Sequence, residues 1–568
     1  METTGKTTAR ILTGLLASRG VRRVFASPGS RNAPLLMALE REPSINVSMV
    51  VDERSAAFMA LGYASISGEP VALACTSGTA VLNYAPAMAE AFYRHLPLIA
   101  VSADRPEAWI DQDDSQTLPQ PGILGSIVKR SYDLPDIPAD DSENIWWANR
   151  TINDALITAT SHPQGPVHIN LQFDNPLNVT SRQPLCCKEE RTIEMIAPEP
   201  QLSTATMREL GSTIASPCKV MVVCGFMAPD HKLNQALGRL AAKPNITVLC
   251  ESMSNLHAPG LHYNIDSLLS IMPDNEREAM RPDVVITLGG ALLSRHIKEY
   301  LRKYPPRRHW HVGFTRTTVD CLKSLTTRIA IAPNRFFPAL ASALHPHSAP
   351  SGYAGRWNKI EVDARESHER YVKASEWSAL RAFDILVPAI PAEANVQLSN
   401  GTCARYYQLC RYSGIHRCDC NRGVSGIDGS TSTAIGASMA YNNPTWLITG
   451  DMSALYDIGA LASPHITPKL KIVVSANGGG GIFRFIPSTR ALPELDRCFA
   501  MDIRLPLREL ADAWGFALFK AHNEQELQQL LPHFINEHER PAILEIVTDG
   551  TTDAMILQEY FNRNKNIE

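Results

Sequence analysis

The chain has 568 residues, 44% of them apolar and 20% charged, with 54 Lys+Arg against 58 Asp+Glu for a formal net charge of −4. At roughly 150 residues per domain, that length implies three or four domains with several buried cores. Basic residues are neither in excess nor gathered into runs, which argues against nucleic acid as a partner. The longest apolar stretches, such as 219–226, fall far short of the ~18 residues a membrane span needs.

The first twenty residues carry Lys6, Arg10 and several Thr, a faint likeness to a transit peptide. The stronger pattern is structural. Ala9, Leu12, Leu15 and Leu16 recur at helical spacing, Gly20 ends the run, and 21–26 reads as a strand. A β/α domain therefore opens here, and twelve scattered Cys without a secretory leader predict reduced thiols in the cytoplasm. Cys410, His416, Cys418 and Cys420 lack the paired spacing of a zinc knuckle and read as incidental, as does the Cys186–Cys187 pair.

From 21 to 104, short apolar strands (21–26, 46–50, 71–75, 97–103) alternate with helical stretches (33–41, 53–66, 79–94), the pattern of a parallel sheet with helices on both faces. A second such region follows Pro184, with strands near 219–225, 246–250, 283–289, 308–313 and 328–332. Residues 345–355 have linker composition. A helix-rich segment and a third β/α region follow, whose strands include 445–449, 471–476 and 542–547. The expected fold is α/β with three doubly wound parallel-sheet domains, bounded at 1–182, 183–346 and 347–568.

The first and third regions read as copies. A shift of 374 positions carries Ala60, Gly62 and Ala80 onto Ala434, Gly436 and Ala454, and Thr76–Ser77 onto Gly450–Asp451. The copies differ where chemistry belongs, at the carboxyl ends of strands. The first has Glu53 opening a helix where the third has Ile427; the third has Asp451 and Asn477 where the first has Ser77 and, with one residue of slack, Asp104. Asp451 follows one strand and Asn477 follows the next, ahead of four glycines. A carboxylate, an amide oxygen and a glycine carbonyl are hard ligands suited to Mg²⁺ with a diphosphate, which a glycine turn and helix N-terminus also favour. No Walker A or dinucleotide fingerprint is present.

Spacing of GDM and Asn477 resembles the signature of thiamine diphosphate-dependent enzymes, with Glu53 matching the glutamate of their other domain. SPGSRNAPL, DERSAAF, TSGTAVLN, SADRPE, NRGVSGIDG, GDMSALYD and NGGGGIF, in that order, resemble the 2-succinyl-5-enolpyruvyl-6-hydroxy-3-cyclohexene-1-carboxylate synthases of menaquinone biosynthesis. Met452 and Gly478 depart from the general cofactor motif, the former in keeping with this family. Gly401 stands where the family often has a hydroxyl residue.

The resemblance implies thiamine diphosphate with Mg²⁺ or Mn²⁺, the metal held by Asp451, Asn477 and Gly479. It implies that Glu53, Ile427, Asp451, Met452, Ser453, Asn477, Gly479 and Ile482 bind the cofactor. Glu53 would act on the aminopyrimidine ring, flanked by Ala56, Ala57 and Phe58 and so partly desolvated. The substrates would be 2-oxoglutarate and isochorismate, each with two carboxylates. Arg31, Arg105, Arg405 and Arg422, with Arg295 or its neighbour His296, supply the cations, and Ser30 and Gln116 neutral hydrogen bonds. A homodimer or homotetramer with interfacial sites is implied as well. Rival readings are another 2-oxoacid enzyme of the cofactor class, such as an acetolactate synthase or decarboxylase, or a degenerate fold that binds without turnover.

Overall fold

The computed structural model describes residues 2–181, 190–215, 217–344, 352–410 and 417–563. Both expected domain boundaries, the Cys186–Cys187 pair and His416 lie outside these residues, as does most of the 345–355 linker. Three six-stranded sheets make up the framework. The first holds β1 (Arg23–Ala26), β2 (Asn46–Met49), β3 (Val71–Cys75), β4 (Leu98–Asp104), β5 (Ser131–Leu134) and β6 (Val167–Gln172). The second holds β7 (Val220–Cys224), β8 (Ile246–Cys250), β9 (Leu261–His262), β10 (Val284–Leu288), β11 (Arg308–Val312) and β12 (Thr327–Ile329). The third holds β13 (Asn395–Leu398), β14 (Arg417–Cys420), β15 (Thr445–Gly450), β16 (Leu470–Ala476), β17 (Ala517–Ala521) and β18 (Ala542–Val547).

Strand order is β2-β1-β3-β4-β6-β5 in the first sheet and β14-β13-β15-β16-β18-β17 in the third, strand for strand the same. The copies read from the sequence are thus copies of topology. The second sheet runs β9-β8-β7-β10-β11-β12. Every pair in the first two sheets is parallel, as are β13–β14, β16–β18 and β17–β18 in the third. Central strands such as β3 and β7 are buried along their whole length, which is why they read as unbroken apolar runs rather than alternating ones.

The helices that matter below are α1 (Thr7–Ser18), α2 (Glu53–Ser67), α3 (Ala85–Arg94), α4 (Ala379–Ala389), α5 (Thr402–Cys410), α6 (Ser430–Ala440), α7 (Asp451–Tyr456) and α8 (Gly550–Asn562). The stretch 79–94, expected as one helix, is two: Ala80–Asn83 ends at Tyr84, and α3 begins at Ala85. Pro86 lacks the N–H that would continue the ladder, so it serves the first turn of a new helix instead.

By its contacts the chain divides into two compact units. One comprises 1–197, 421–445 and 456–470, and contains the first sheet. In it the copy-related helices α2 and α6 pack face to face. Gly62 leaves room for the Thr433 carbonyl oxygen, 2.0 Å from where a Cβ would stand, and Gly436 does the same for the Met59 carbonyl at 1.9 Å. Residues 59 and 62 correspond to 433 and 436 under the 374-residue shift, so each copy presents the same glycine to the same point of the other. The other unit comprises 198–420, 446–455 and 471–568, with the second sheet and the body of the third. Cys410, Cys418 and Cys420 are buried in it, and none forms a disulfide among the described residues.

Candidate active site

In the first unit, the turns after β1 and β3 meet because one residue is glycine. A Cβ on Gly29 would stand 2.2 Å from Thr76 Cβ, so the SPGSR turn reaches the TSG turn only without a side chain there. Ser30 is exposed on this turn. Arg31 is buried at 7% exposure, and its Nη1 donates to the Phe173 carbonyl at 2.8 Å. Burial lowers the Arg31 pKa first and the neighbouring Arg105 charge lowers it further, against Asp114, Asp174 and Asp104. Arg105 is held by an ion pair with Asp114, and its backbone N–H donates to Asp104 Oδ1 at 2.8 Å. Gln116, at a positive φ of 59°, donates from Nε2 to the Ser77 carbonyl at 3.2 Å. The fold thus sets two guanidinium groups and an amide around the same strand ends, the equipment of a carboxylate subsite.

Glu53 is the first residue of α2, whose start is fixed by Asp52: its Oδ1 accepts from the Arg54 and Ser55 amides at 2.9 and 3.3 Å. Glu53 is half-buried against the buried Ala56, Ala57 and Phe58, as the sequence implies. Among the described residues its carboxylate has no hydrogen-bond donor. Cys75 and Tyr84 are buried within reach of its charge; burial pushes both up, and Glu53 adds to it.

The NRGVSGIDG turn lies in the same unit and is pinned from below by Glu90 of α3. Its Oε1 and Oε2 accept from the Gly423 and Val424 amides at 2.7 and 2.8 Å. Arg94 Nη1 donates to Asn421 Oδ1 at 3.3 Å, and Asn421 Nδ2 to Thr433 Oγ1 at 3.0 Å. Arg422 and Ile427 are half-buried on this clamped turn. Asp457 accepts from the Ser432 amide and hydroxyl at 2.7 and 3.0 Å, bracing the start of α6.

In the second unit, Asp451 directly follows β15 and opens α7, and it is 4% exposed. Its Oδ1 accepts from the Met452 amide at 2.8 Å; its Oδ2 accepts from the Asn477 and Gly479 amides at 3.0 and 2.8 Å. Burial raises its pKa, and these backbone donors oppose the rise. Gly478, Gly479 and Gly480 have φ of 85°, 93° and 58°, a run that only glycine adopts without strain. The Gly480 amide donates to Met452 Sδ at 3.0 Å, Ser453 is buried, and Ile482 lies half-buried on the short helix after the turn. Asp451 and Asn477 line one cavity of about 710 Å³. This donor set fits a divalent ion. Asp451 Oδ1 keeps lone-pair capacity beyond its single bond, and the Asn477 amide spends its nitrogen on Asp553 at 3.2 Å, which leaves Oδ1 for a metal.

Arg405, on α5, is half-buried and acts on the buried Asp266, which His296 Nδ1 also meets at 3.2 Å. Arg295 turns outward and pairs with Glu299 at 3.5 Å, both half-exposed or more. Of the neighbouring pair it is thus His296, and not Arg295, that stands with Arg405. Glu90, Asp457 and Asp553 escaped the sequence reading. Glu90 and Asp553 are acids among buried or apolar neighbours in helices, and Asp457 lies in the turn after α7; an acid beside apolar residues is the available signal.

A family model described as "Thiamine pyrophosphate enzyme, N-terminal TPP binding domain" matches residues 6–123. With the three-sheet fold, it defines a thiamine diphosphate-dependent enzyme. Named relatives narrow the class. A 2-succinyl-5-enolpyruvyl-6-hydroxy-3-cyclohexene-1-carboxylate synthase of Porphyromonas gingivalis is 40% identical over 560 residues, covering 97% of this chain and 96% of that one. Proteins of the same name from Flavobacterium johnsoniae and Bacteroides thetaiotaomicron are 35% and 34% identical, each over at least 97% of both chains. The chain belongs to the 2-succinyl-5-enolpyruvyl-6-hydroxy-3-cyclohexene-1-carboxylate synthase family.

Proposed function

We propose that the chain decarboxylates 2-oxoglutarate and adds the remaining succinyl-semialdehyde unit to isochorismate by conjugate addition, with release of CO₂, in menaquinone biosynthesis. The observation that carries the reading is the Asp451 cradle, a buried carboxylate that accepts from the Met452 amide and from two amides of the glycine turn, in a chain that matches synthases of that name nearly end to end. Asp451 and Asn477 side-chain oxygens and the Gly479 carbonyl would hold Mg²⁺ or Mn²⁺. Met452, Ser453, Ile482 and Ile427 would line the cofactor.

When bound, thiamine diphosphate supplies the electron sink for the carbanion left by loss of CO₂. The protein's part is orientation, charge and one proton. Glu53 would exchange that proton with the aminopyrimidine ring, its carboxylate accepting no hydrogen bond among the described residues. Arg31 and Arg105, already held side by side at the cost of mutual repulsion, bind a carboxylate that relieves it. Arg422, on the turn clamped by Glu90, and Arg405 take further carboxylates, with Ser30 and Gln116 adding neutral bonds. Arg295 contributes only if its helix end turns, whereas His296 is already directed inward. We assign the domain boundaries to 182–183 and 346–347, and infer a cytoplasmic homodimer or homotetramer whose sites combine Glu53 of one subunit with Asp451 of another. No helix among the described residues is long and apolar enough to cross a membrane.

The test is loss of isochorismate absorbance by purified protein with thiamine diphosphate and Mg²⁺. Consumption that requires 2-oxoglutarate and both cofactors is expected. CO₂ release from pyruvate without isochorismate loss would move the chain to another 2-oxoacid chemistry, and cofactor binding with no turnover would leave only the binding fold.

A further inference from the structure

An asparagine amide can show a metal either its oxygen or its nitrogen, and only the oxygen is a ligand. At Asn477 the choice is made by α8. Asn477 Nδ2 donates to Asp553 Oδ2 at 3.2 Å. Asp553 is 2% exposed and cannot turn away, because the Ala379 amide at the start of α4 donates to its Oδ1 at 2.7 Å and Thr548 Oγ1 to its Oδ2 at 2.8 Å. The first residue of α8 also touches the metal turn: a Cβ on Gly550 would stand 2.7 Å from the Asn477 carbonyl oxygen. Further along, Gln558 Nε2 donates to the Arg484 carbonyl at 3.2 Å.

We propose that Asp553 is a positioning residue that fixes the orientation of the Asn477 amide, so that its Oδ1 is the atom presented to the divalent ion. The last helix is then part of the cofactor site. This rests on the metal reading of Asp451 and Asn477 given above. Partners that orient metal ligands in this way are worth about 10- to 100-fold in metal affinity.

The measurement is Mn²⁺ affinity of the full-length protein in the presence of thiamine diphosphate, read from the paramagnetic resonance of free Mn²⁺. Asp553→Asn keeps the volume but offers its neighbour a group of either polarity. Its Mn²⁺ affinity should fall about 10- to 100-fold. The decisive comparison uses Asn477→Asp, whose two oxygens have no orientation to set. Adding Asp553→Asn to that variant should cost no further affinity. Unchanged Mn²⁺ binding in folded Asp553→Asn, or the same loss in both backgrounds, would overturn the proposal. Should Asp553→Asn fail to fold, Thr548→Val frees Asp553 Oδ2 and should weaken Mn²⁺ several-fold; no change there overturns it equally. If the parent protein binds thiamine diphosphate independently of any divalent ion, it is the metal reading itself that fails.

Discussion

Glu53 and Asp451 are both acids at helix starts, and their hydrogen bonding differs. Asp451 accepts from three amides, whereas the Glu53 carboxylate accepts from no donor among the described residues; in the proposed function the first holds charge in place and the second passes a proton. Glu53→Gln should therefore abolish turnover while thiamine diphosphate still binds with near-normal affinity, measured by quenching of intrinsic fluorescence. Asp451→Ala should instead lose cofactor binding, and a retained Mg²⁺ dependence would remove it from the ligand set. Asp457 offers a pH test. Burial pushes its pKa up to about 6, against the opposing Ser432 donors. The folded chain then holds that proton more tightly than the unfolded one. The stability it contributes is complete below the ordinary carboxylate range and is lost as pH rises through about 6. A shift of about two units corresponds to roughly 3 kcal/mol. Asp457→Asn cannot ionise, so its urea midpoint should gain on the parent's between about pH 4 and about pH 7. A gap that does not vary with pH would show that Asp457 ionises normally in the folded chain.

At the scale of elements, the contact between α2 and α6 depends on two glycines that the repeat relates. A Cβ on Gly436 would stand 1.9 Å from a backbone oxygen, which no rotamer relieves. Gly436→Ala should therefore destabilise by about 3 kcal/mol or more, at or above the top of the ordinary range for overpacking. Gly355→Ala is the control: it lies within the helix Tyr353–Ala374 with nothing within 4 Å of its Cβ position, and should leave the melting temperature level or raise it. Equal loss in both would mean that the close approach is not what Gly436 is for. These elements also mark how far the sequence could be read. Strands buried on both faces, such as β3, and glycine turns after them are local patterns, and they stood out. The clamps by Glu90 and Asp553 were illegible because each joins residues more than seventy positions apart through a single hydrogen-bonded carboxylate. Arg295 and His296 were ambiguous for a related reason. Which of two adjacent helix residues faces inward depends on the helix's rotation, and that is set by Asp266 and Phe561, not by local sequence.

For the whole molecule, two sheets of identical strand order carry different residues at matching strand ends. The first copy keeps Glu53 and has Ser77 where the third has Asp451; the third has Ile427 in place of Glu53. If one site needs both Glu53 and Asp451, as the proposed function has it, a closed assembly with two-fold symmetry would yield two complete sites. The arrangement can be tested without knowing its geometry. Glu53→Gln and Asp451→Ala are each expected to be inactive. If a site takes Glu53 from one subunit and Asp451 from another, a mixed dimer has one site with both lesions and one with neither. After dissociation and random reassociation, about half the dimers are mixed and half of their sites are intact, so about a quarter of parent activity should return. If each site draws both residues from one chain, every site in the mixture carries a lesion and no activity returns. The separated variants, taken through the same dissociation alone, must stay inactive for the recovery to count.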